Sequence, residues 1–236
     1  MKRIAVLTPI ARAPMPAFVE SIMRIAGTHH DSNIHVDWIN AVGHANTPRV
    51  RNALCHAALT HQFDEIVWID DDISFTPASF LQLVSHDVDV VAGAPQRRND
   101  GDVVKFCAHI DPEPEAHTAT DMTGAEYPLL SGHAATAFMR VKASVFERLK
   151  DKVDWYYHES TGQDQVRAYY DYKIGAAPGG GQKSYNGEDY YFSELCKQNG
   201  IQVWIDPYIR LQHWNTVPLK EVFADYVFAV KAGEGE

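Results

Sequence analysis

The chain has 236 residues, 45% hydrophobic and 22% charged, a composition that favours neither disorder nor a membrane-embedded class and suits one globular domain. A formal net charge of −10 argues against gripping a long polyanion through a general electrostatic footprint, and leaves Arg97, Arg98 and Lys105 as the nearest thing to a basic patch. The three cysteines, Cys55, Cys107 and Cys196, are odd in number, widely spaced and without CxxC pairing, which suits a reduced, cytoplasmic setting.

Met1-Lys2-Arg3 before Ile4-Ala5-Val6-Leu7 has the outline of a secretion signal, but Pro9 and Arg12 cut the apolar run short. Arg3 to Thr8 therefore reads as a first buried strand. No later segment approaches the roughly 18 apolar residues of a membrane span. Phe18, Ile22, Ile25 and Ala26 recur at helical spacing, and Ile34 to Ile39 reads as a second strand. At Asn46-Thr47-Pro48, Thr47 suits a helix cap and Pro48 a first turn, so a helix is expected to about His61. Val50, Leu54, Ala57 and Ala58 would form its packing stripe; Arg49, Asn52 and His56 lie on another face, free to work. The run Ile66-Val67-Trp68-Ile69 predicts a buried central strand ending in Asp70-Asp71-Asp72. Thr76-Pro77 then opens a helix through Leu83, and Val88 to Ala92 is another strand. This alternation predicts a largely parallel sheet covered by helices.

From Gly101 to Leu130 polar, proline-bearing sequence suggests a hairpin-like excursion, followed by the small-residue stretch Ser131 to Val141 and a helix from Lys142 to Leu149. Ile174 to Ser184, with Pro178-Gly179-Gly180-Gly181, is expected to lack regular structure and to serve as a mobile loop or lid. Glu188 to Gln198 reads as a helix stopped by Asn199-Gly200. Strands are expected at Ile201 to Ile205 and Tyr208 to Gln212, and an amphipathic helix from Leu219 to Val230.

Alternation along the strand puts the carboxylates of Asp70 and Asp72 on one side and Asp71 on the other, provided the strand persists that far. Two hard oxygen donors suit Mg²⁺ or Mn²⁺; a solvated acidic turn is the alternative. Glu188 and Asp189 open a helix, where carboxylates are stabilised by unpaired N–H groups or, in a cleft, act as a base.

Arg51-Asn52, Ala57 and the run Phe63 to Asp72 resemble the DxD-bearing stretch of GT-A glycosyltransferases. Gly187-Glu188-Asp189-Tyr190-Tyr191-Phe192, followed by Gly200, Val203, Asp206-Pro207 and His213, resembles the end of that superfamily's domain. The resemblance spans Lys2 to Trp214, with only these two stretches specific. It implies an α/β GT-A (Rossmann-like) fold: a mostly parallel central sheet flanked by helices, with a small antiparallel excursion. Residues 1–94 would bind the nucleotide sugar, 95–215 the acceptor, and 216–236 would form a C-terminal helix. The implied activity is metal-dependent transfer of a sugar from a nucleotide sugar, by family frequency a UDP-sugar, to an acceptor hydroxyl. Carried over residue by residue, Asp70 touches the donor ribose or a metal-bound water with Asp71 beside it. Asp72 binds Mn²⁺ or Mg²⁺ with His213 as a further ligand. Asp189 is the general base and Glu188 orients acceptor hydroxyls. Thr8, Pro9 and Ala11 lie where relatives bind the nucleotide base, Arg51 is a base or phosphate contact, and His133 stands beside the donor sugar within Ser131 to Ala135.

The acceptor stays open between a saccharide, a protein side chain and a small metabolite. Trp155-Tyr156-Tyr157 and Tyr169-Tyr170 would stack on sugars, or equally on an extruded base. The resemblance extends to viral enzymes that decorate hydroxymethylated pyrimidines in DNA, which would need Arg97, Arg98, Lys105, Arg167, Lys173 and Lys183 as a strand-binding surface. A nucleotidyltransferase is disfavoured by the lack of glycine in Thr8-Pro9-Ile10-Ala11-Arg12, and a metal hydrolase by the lack of compact HxH or HExxH spacing. A non-catalytic sugar-binding module would leave both acidic motifs without a purpose.

Overall fold

Strand β1 (Lys2–Ile10) is apolar on both faces and lies between two parallel neighbours, β2 (Ile34–Val42) and β3 (Glu65–Ile69), with Ile4 opposite Val36 and Glu65. The computed structural model describes residues 1–26, 33–43, 46–98, 105–112, 114–120, 126–158, 165–176, 181–214, 218–219, 222–225 and 227. Within them the chain continues through β4 (Ile73–Phe75), β5 (Val90–Gly93), β6 (Ala108–Ile110), β7 (Ala116–Thr120), β8 (Glu126–Ala134) and β9 (Phe138–Lys142). The remaining strands are β10 (Trp155–Tyr157), β11 (Gln165–Arg167), β12 (Lys173–Ala176), β13 (Lys183–Asn186), β14 (Val203–Asp206), β15 (Leu211–Trp214) and β16 (Pro218–Leu219). The central sheet has nine strands in the order β2-β1-β3-β9-β5-β14-β8-β6, with β7 also paired to β8.

Helices cover both faces. Alternate residues of β1 divide between two cores: Ala5 and Leu7 pack with α2 (Thr47–Thr60), α4 (Ala143–Leu149) and α5 (Glu188–Gln198), while Ile4 and Val6 pack with α1 (Pro16–Ala26) and α3 (Pro77–Ser85). Period-two alternation in a strand buried on both sides produces this split. Thr76 caps α3 as expected, its Oγ1 accepting from Ser79 N at 3.1 Å. For α2 the cap is Asn46 instead of Thr47: Asn46 Oδ1 accepts from Arg49 N at 3.2 Å, and Thr47 is already helical.

The expected α/β architecture is the one observed, with local differences. β9 runs antiparallel between β3 and β5, so the stretch read only as small residues contributes the end of β8 and a central strand. Hydrophobic periodicity does not distinguish it from a loop because Ser131, Gly132, Ala134 and Ala135 carry little apolar surface. Ile174 to Ser184 is not wholly irregular: β12 and β13 form an antiparallel hairpin with Ile174 opposite Tyr185, while residues 177–180 lie outside the described residues. β15 begins three residues later than the expected start at Tyr208. Leu219 pairs with His213 in β16 and does not open a helix. Of the expected terminal helix, residues 223–225 and 227 are helical, and Phe223 packs on Phe106 with ring centres 4.8 Å apart; the rest lies outside the described residues. Among the described residues no helix is long and apolar enough to cross a membrane.

The small sheet β16-β15-β4 joins the far end of the chain to the acidic turn after β3. Antiparallel pairing sets His213 of β15 opposite Ile73 of β4, and Trp214 N donates to Asp72 O at 2.8 Å. A histidine 141 residues down the chain from Asp72 is thereby fixed beside it.

Candidate active site

β3 stops at Ile69, and the three aspartates form a turn: Asp70 N donates to Ala137 O and Ile73 N returns to Asp70 O, both at 3.1 Å. Alternation does not continue through the run, so each carboxylate has its own surroundings. Asp70 Oδ1 accepts from Arg51 Nη2 at 2.7 Å. Asp72 Oδ2 accepts from Arg98 Nη2 at 2.6 Å, and its Oδ1 lies 3.5 Å from His213 Nε2. Burial, then Asp72 and Asp70, push the Asp71 carboxyl up to about 6.

Arg51 is buried and does not face outward as a free base or phosphate contact. It spans the two acidic motifs: besides Asp70, its Nε donates to Glu188 Oε1 at 3.3 Å, and its Cζ sits 5.2 Å from the centre of the Trp68 ring. Burial pulls its pKa down, but Asp70 and Glu188 more than offset this and hold the charge. The face of α2 expected to work behaves differently. Asn52 is buried and clamps Tyr170, donating to its carbonyl and accepting from its N–H, each at 2.9 Å. Tyr170 OH accepts from Trp68 Nε1 at 2.6 Å, and Tyr169 and Tyr170 are both buried, so they offer no stacking surface; Trp155 and Tyr157 are exposed.

α5 begins at Glu188 directly after Gly187, which supplies no side-chain cap. Asp189 Oδ1 fills part of that role by accepting from Tyr190 N at 2.6 Å. Burial, then Glu188, push Asp189 up to about 6. It lines a cleft of about 430 Å³ with Arg97, Cys107, His133, Ala134 and Ala135. His133 stacks on Tyr190 at 4.5 Å and meets Glu194 Oε2 through Nε2 at 3.0 Å; burial lowers its pKa.

The missing side chain of Gly132 serves packing. A Cβ there would overlap the His109 carbonyl oxygen on β6 and stand 2.9 Å from Ile205 Cδ1. Gly132→Ala is expected to destabilise the fold by about 1–3 kcal/mol, read as a fall in Tm of roughly 3–10 °C; an unchanged Tm would show that β6 yields freely.

Thr8 and Pro9 lie at the end of β1, which runs beside β3, and Ala11 lies just past it. Thr8 is buried with Oγ1 accepting from Trp38 Nε1 at 3.1 Å, Pro9 is paired with Ala41, and Ala11 is exposed. Of the local cations, Arg98 is engaged by Asp72, Arg167 faces Asp151 at 4.0 Å, and Lys173 lies 5.9 Å from the centre of the Tyr191 ring.

A divalent cation fits this donor set in part. Asp72 supplies a carboxylate and His213 an imidazole whose Nδ1 is held by Gln96 O at 2.8 Å, leaving Nε2 towards Asp72. An outer partner of this kind orients a ligating histidine. Burial lowers the His213 pKa, but Asp72 and Cys107 raise it to about 10. Asp70 is held by Arg51, and among the described residues no three His, Cys, Asp or Glu side chains converge as a metal cage.

Sequence reasoning missed Tyr190, Glu194 and His109 as lining residues. Tyr190 and Glu194 carry a signal, since helical spacing puts i and i+4 on one face beside Asp189. His109 has none: its place opposite His133 is a matter of β6–β8 register.

No protein-family model and no curated protein matches the chain. Among solved structures it is similar to a mutant of the Drosophila β-1,4-galactosyltransferase 7 in complex with manganese, UDP-Gal and xylobiose: 11% identity, TM-score 0.45, over 87% of this chain and 65% of that one. It is also similar to a glycosyltransferase involved in glycosylation of the major capsid of PBCV-1, at 13% identity and TM-score 0.29, over 61% and 62% of the two chains. Staphylococcus aureus TarS (1–349) in complex with UDP-GlcNAc gives 12% identity and TM-score 0.30, over 66% and 49%. The chain thus spans less than two thirds of each of these proteins as solved. At such values the likeness is one of fold alone and carries no chemistry over to this chain.

Proposed function

We propose that the chain is a metal-dependent GT-A glycosyltransferase that moves a sugar from a nucleotide sugar, by preference UDP-linked, to an acceptor hydroxyl. The observation that carries this reading is the Arg51 bridge, which ties the aspartate turn after β3 to the acidic start of α5, 137 residues away in sequence from Arg51, beside a cleft holding Asp189. Two acidic motifs at one point fit a reaction with a phosphorylated donor on one side and a hydroxyl acceptor on the other.

In this reading Thr8, Pro9 and Ala11 flank the nucleotide base, and Asp70 and Asp71 stand at the ribose and diphosphate. The backbone of Ala134 and Ala135 borders the transferred sugar. With Oδ1 taken by Tyr190 N–H, Asp189 receives the acceptor's proton on Oδ2. The acceptor oxygen then bonds to the anomeric carbon as the bond from that carbon to the diphosphate oxygen breaks, and its electron pair leaves with the nucleoside diphosphate. A pKa near 6 makes Asp189 a stronger base than an ordinary aspartate while leaving it mostly ionised at neutral pH. Glu188, fixed by Arg51, orients the acceptor. Mn²⁺ or Mg²⁺ held by Asp72 and His213, with Asp70 nearby, would offset the charge on the departing diphosphate.

The test is release of nucleoside diphosphate from a panel of nucleotide sugars with Mn²⁺, with and without chelator. Chelator-sensitive release from one donor supports the reading; no release together with no metal-dependent donor binding by calorimetry overturns it. Asp72→Ala is expected to abolish metal-dependent donor binding, with Asp189→Ala leaving it intact. Equal loss of binding in both variants would undo these roles.

A further inference from the structure

Past the His133–Tyr190 stack lies a second cleft of about 630 Å³, running along α5 between β6 and β12. His109, His133 and Tyr190 line both this cleft and the one holding Asp189, so the two adjoin at these side chains. Its size is that of a small-molecule site.

The side chains facing it form a mixture that neither an apolar nor a strongly ionic ligand would need. Glu194 is tied to His133 at 3.0 Å and to Gln198 at 2.7 Å, and Asp111 is neutralised by Lys197 at 2.6 Å. Lys152 and Lys173 stand exposed at the rim. The Tyr191 ring, with the Lys173 ammonium 5.9 Å from its centre, stands beside these paired carboxylates and the Gln198 amide, whose remaining lone pairs and N–H groups suit the flat face and several hydroxyls of a sugar.

Two histidines stand at the junction of the clefts. His109 and His133 are cross-strand partners on β6 and β8, and each keeps a buried ring nitrogen, Nε2 and Nδ1 respectively, without a hydrogen-bond partner. Burial holds His133 towards the neutral form, which has one ring N–H and one bare nitrogen. Leaving such atoms unpaired costs stability.

We propose that this cleft is a second acceptor subsite and that the acceptor is an oligosaccharide, its terminal sugar at Asp189 and its next sugar along α5 against Tyr191. The inference rests on the glycosyltransferase reading and deepens it by naming the acceptor class.

Ligand-observed NMR tests it on the full chain with UDP and Mn²⁺ present, comparing cellobiose, lactose and N,N′-diacetylchitobiose with their monosaccharides. At least one disaccharide is expected to bind about tenfold more tightly than its monosaccharide. Tyr191→Ala and Gln198→Ala should each cut that advantage to below about threefold, leaving monosaccharide and UDP binding unchanged, while Tyr191→Phe retains it. Equal affinities in every pair, an advantage that survives both substitutions, or tighter binding of a hydroxyl-bearing peptide than of any saccharide overturns the proposal. UDP binding in the same samples keeps two failures apart. If neither UDP nor any other nucleoside diphosphate binds with Mn²⁺, the glycosyltransferase reading falls; if one binds and no disaccharide gains, only the subsite falls.

Discussion

Asp189→Asn is expected to slow sugar transfer by roughly 10³-fold while leaving donor affinity within about twofold, because a positioned general base contributes about 10²–10⁴ to such a step. The variant should also be more stable at pH 7.5. Burial raises the folded-state pKa of Asp189 from 3.8 to about 6, so the folded protein holds this proton more tightly than the unfolded chain does. Stability attached to the group is present below the unfolded value and is lost as pH climbs through the folded value. Above about pH 6 the ionised side chain is therefore a burden, which asparagine removes while still accepting from Tyr190 N–H; the expected gain is about 1–2 kcal/mol. In the wild type the same titration gives an acid limb, with log kcat rising by one unit per pH unit below about 6 and levelling above it. A pH-independent rate between 5 and 7 would remove Asp189 from the proton transfer.

Arg51→Met carries the second large effect. It leaves the carboxylates of Asp70 and Glu188 near each other without the cation between them, in a site where the Glu188 side chain is 14% exposed and that of Asp70 30%. Breaking a buried pair by removing one partner costs about 3–5 kcal/mol, and partial exposure of the aspartate reduces this to about 2–3 kcal/mol. Thermal unfolding should shift down by roughly 5–10 °C. Arg51→Lys should lie between, since an ammonium cannot fork to two carboxylates as a guanidinium does. The triple variant Arg51→Met, Asp70→Asn, Glu188→Gln should recover most of the lost Tm without recovering transfer, because it removes all three charges together. Stability unchanged in Arg51→Met alone would mean that water or bound ions already screen the two carboxylates.

The parts of this site that could be read from the sequence were those carried on contiguous residues. Ile66 to Asp72 declares a buried strand ending in carboxylates, and Gly187-Glu188-Asp189 declares a helix start, because hydrophobic run and helix terminus are local properties. What the turn does to the aspartates was not legible. Alternation holds only while the strand lasts, and aspartate itself favours the turn that ends it at Ile69. Helical phase was also misjudged at Asn52. The apolar stripe of α2 is narrow, so either side of it could be taken as the outward face; the tertiary contact of Asn52 with the Tyr170 backbone decided the matter. His213 came from resemblance, and its physical reason, the β4–β15 pairing, depends on long-range register that no local pattern encodes. The same holds for His109 opposite His133.

The weave of the central sheet bears on how the chain reaches its folded state. β3 and β5, made early, are not neighbours; β9 fills the space between them, and β14 closes the far side of β5 only when residue 206 arrives. Residues 1–94 thus carry strands with an open slot down the middle, each side lined with unpaired backbone groups and Val, Ile and Trp side chains. During synthesis that slot stays open until β9, Phe138–Lys142, has emerged, and the far edge of β5 stays bare until β14, Val203–Asp206, follows, a high-contact-order arrangement that folds slowly and exposes sticky edges meanwhile. Chaperone dependence on expression, and failure of any fragment ending before β14 to remain in solution, are the expected consequences of setting late strands into an early sheet.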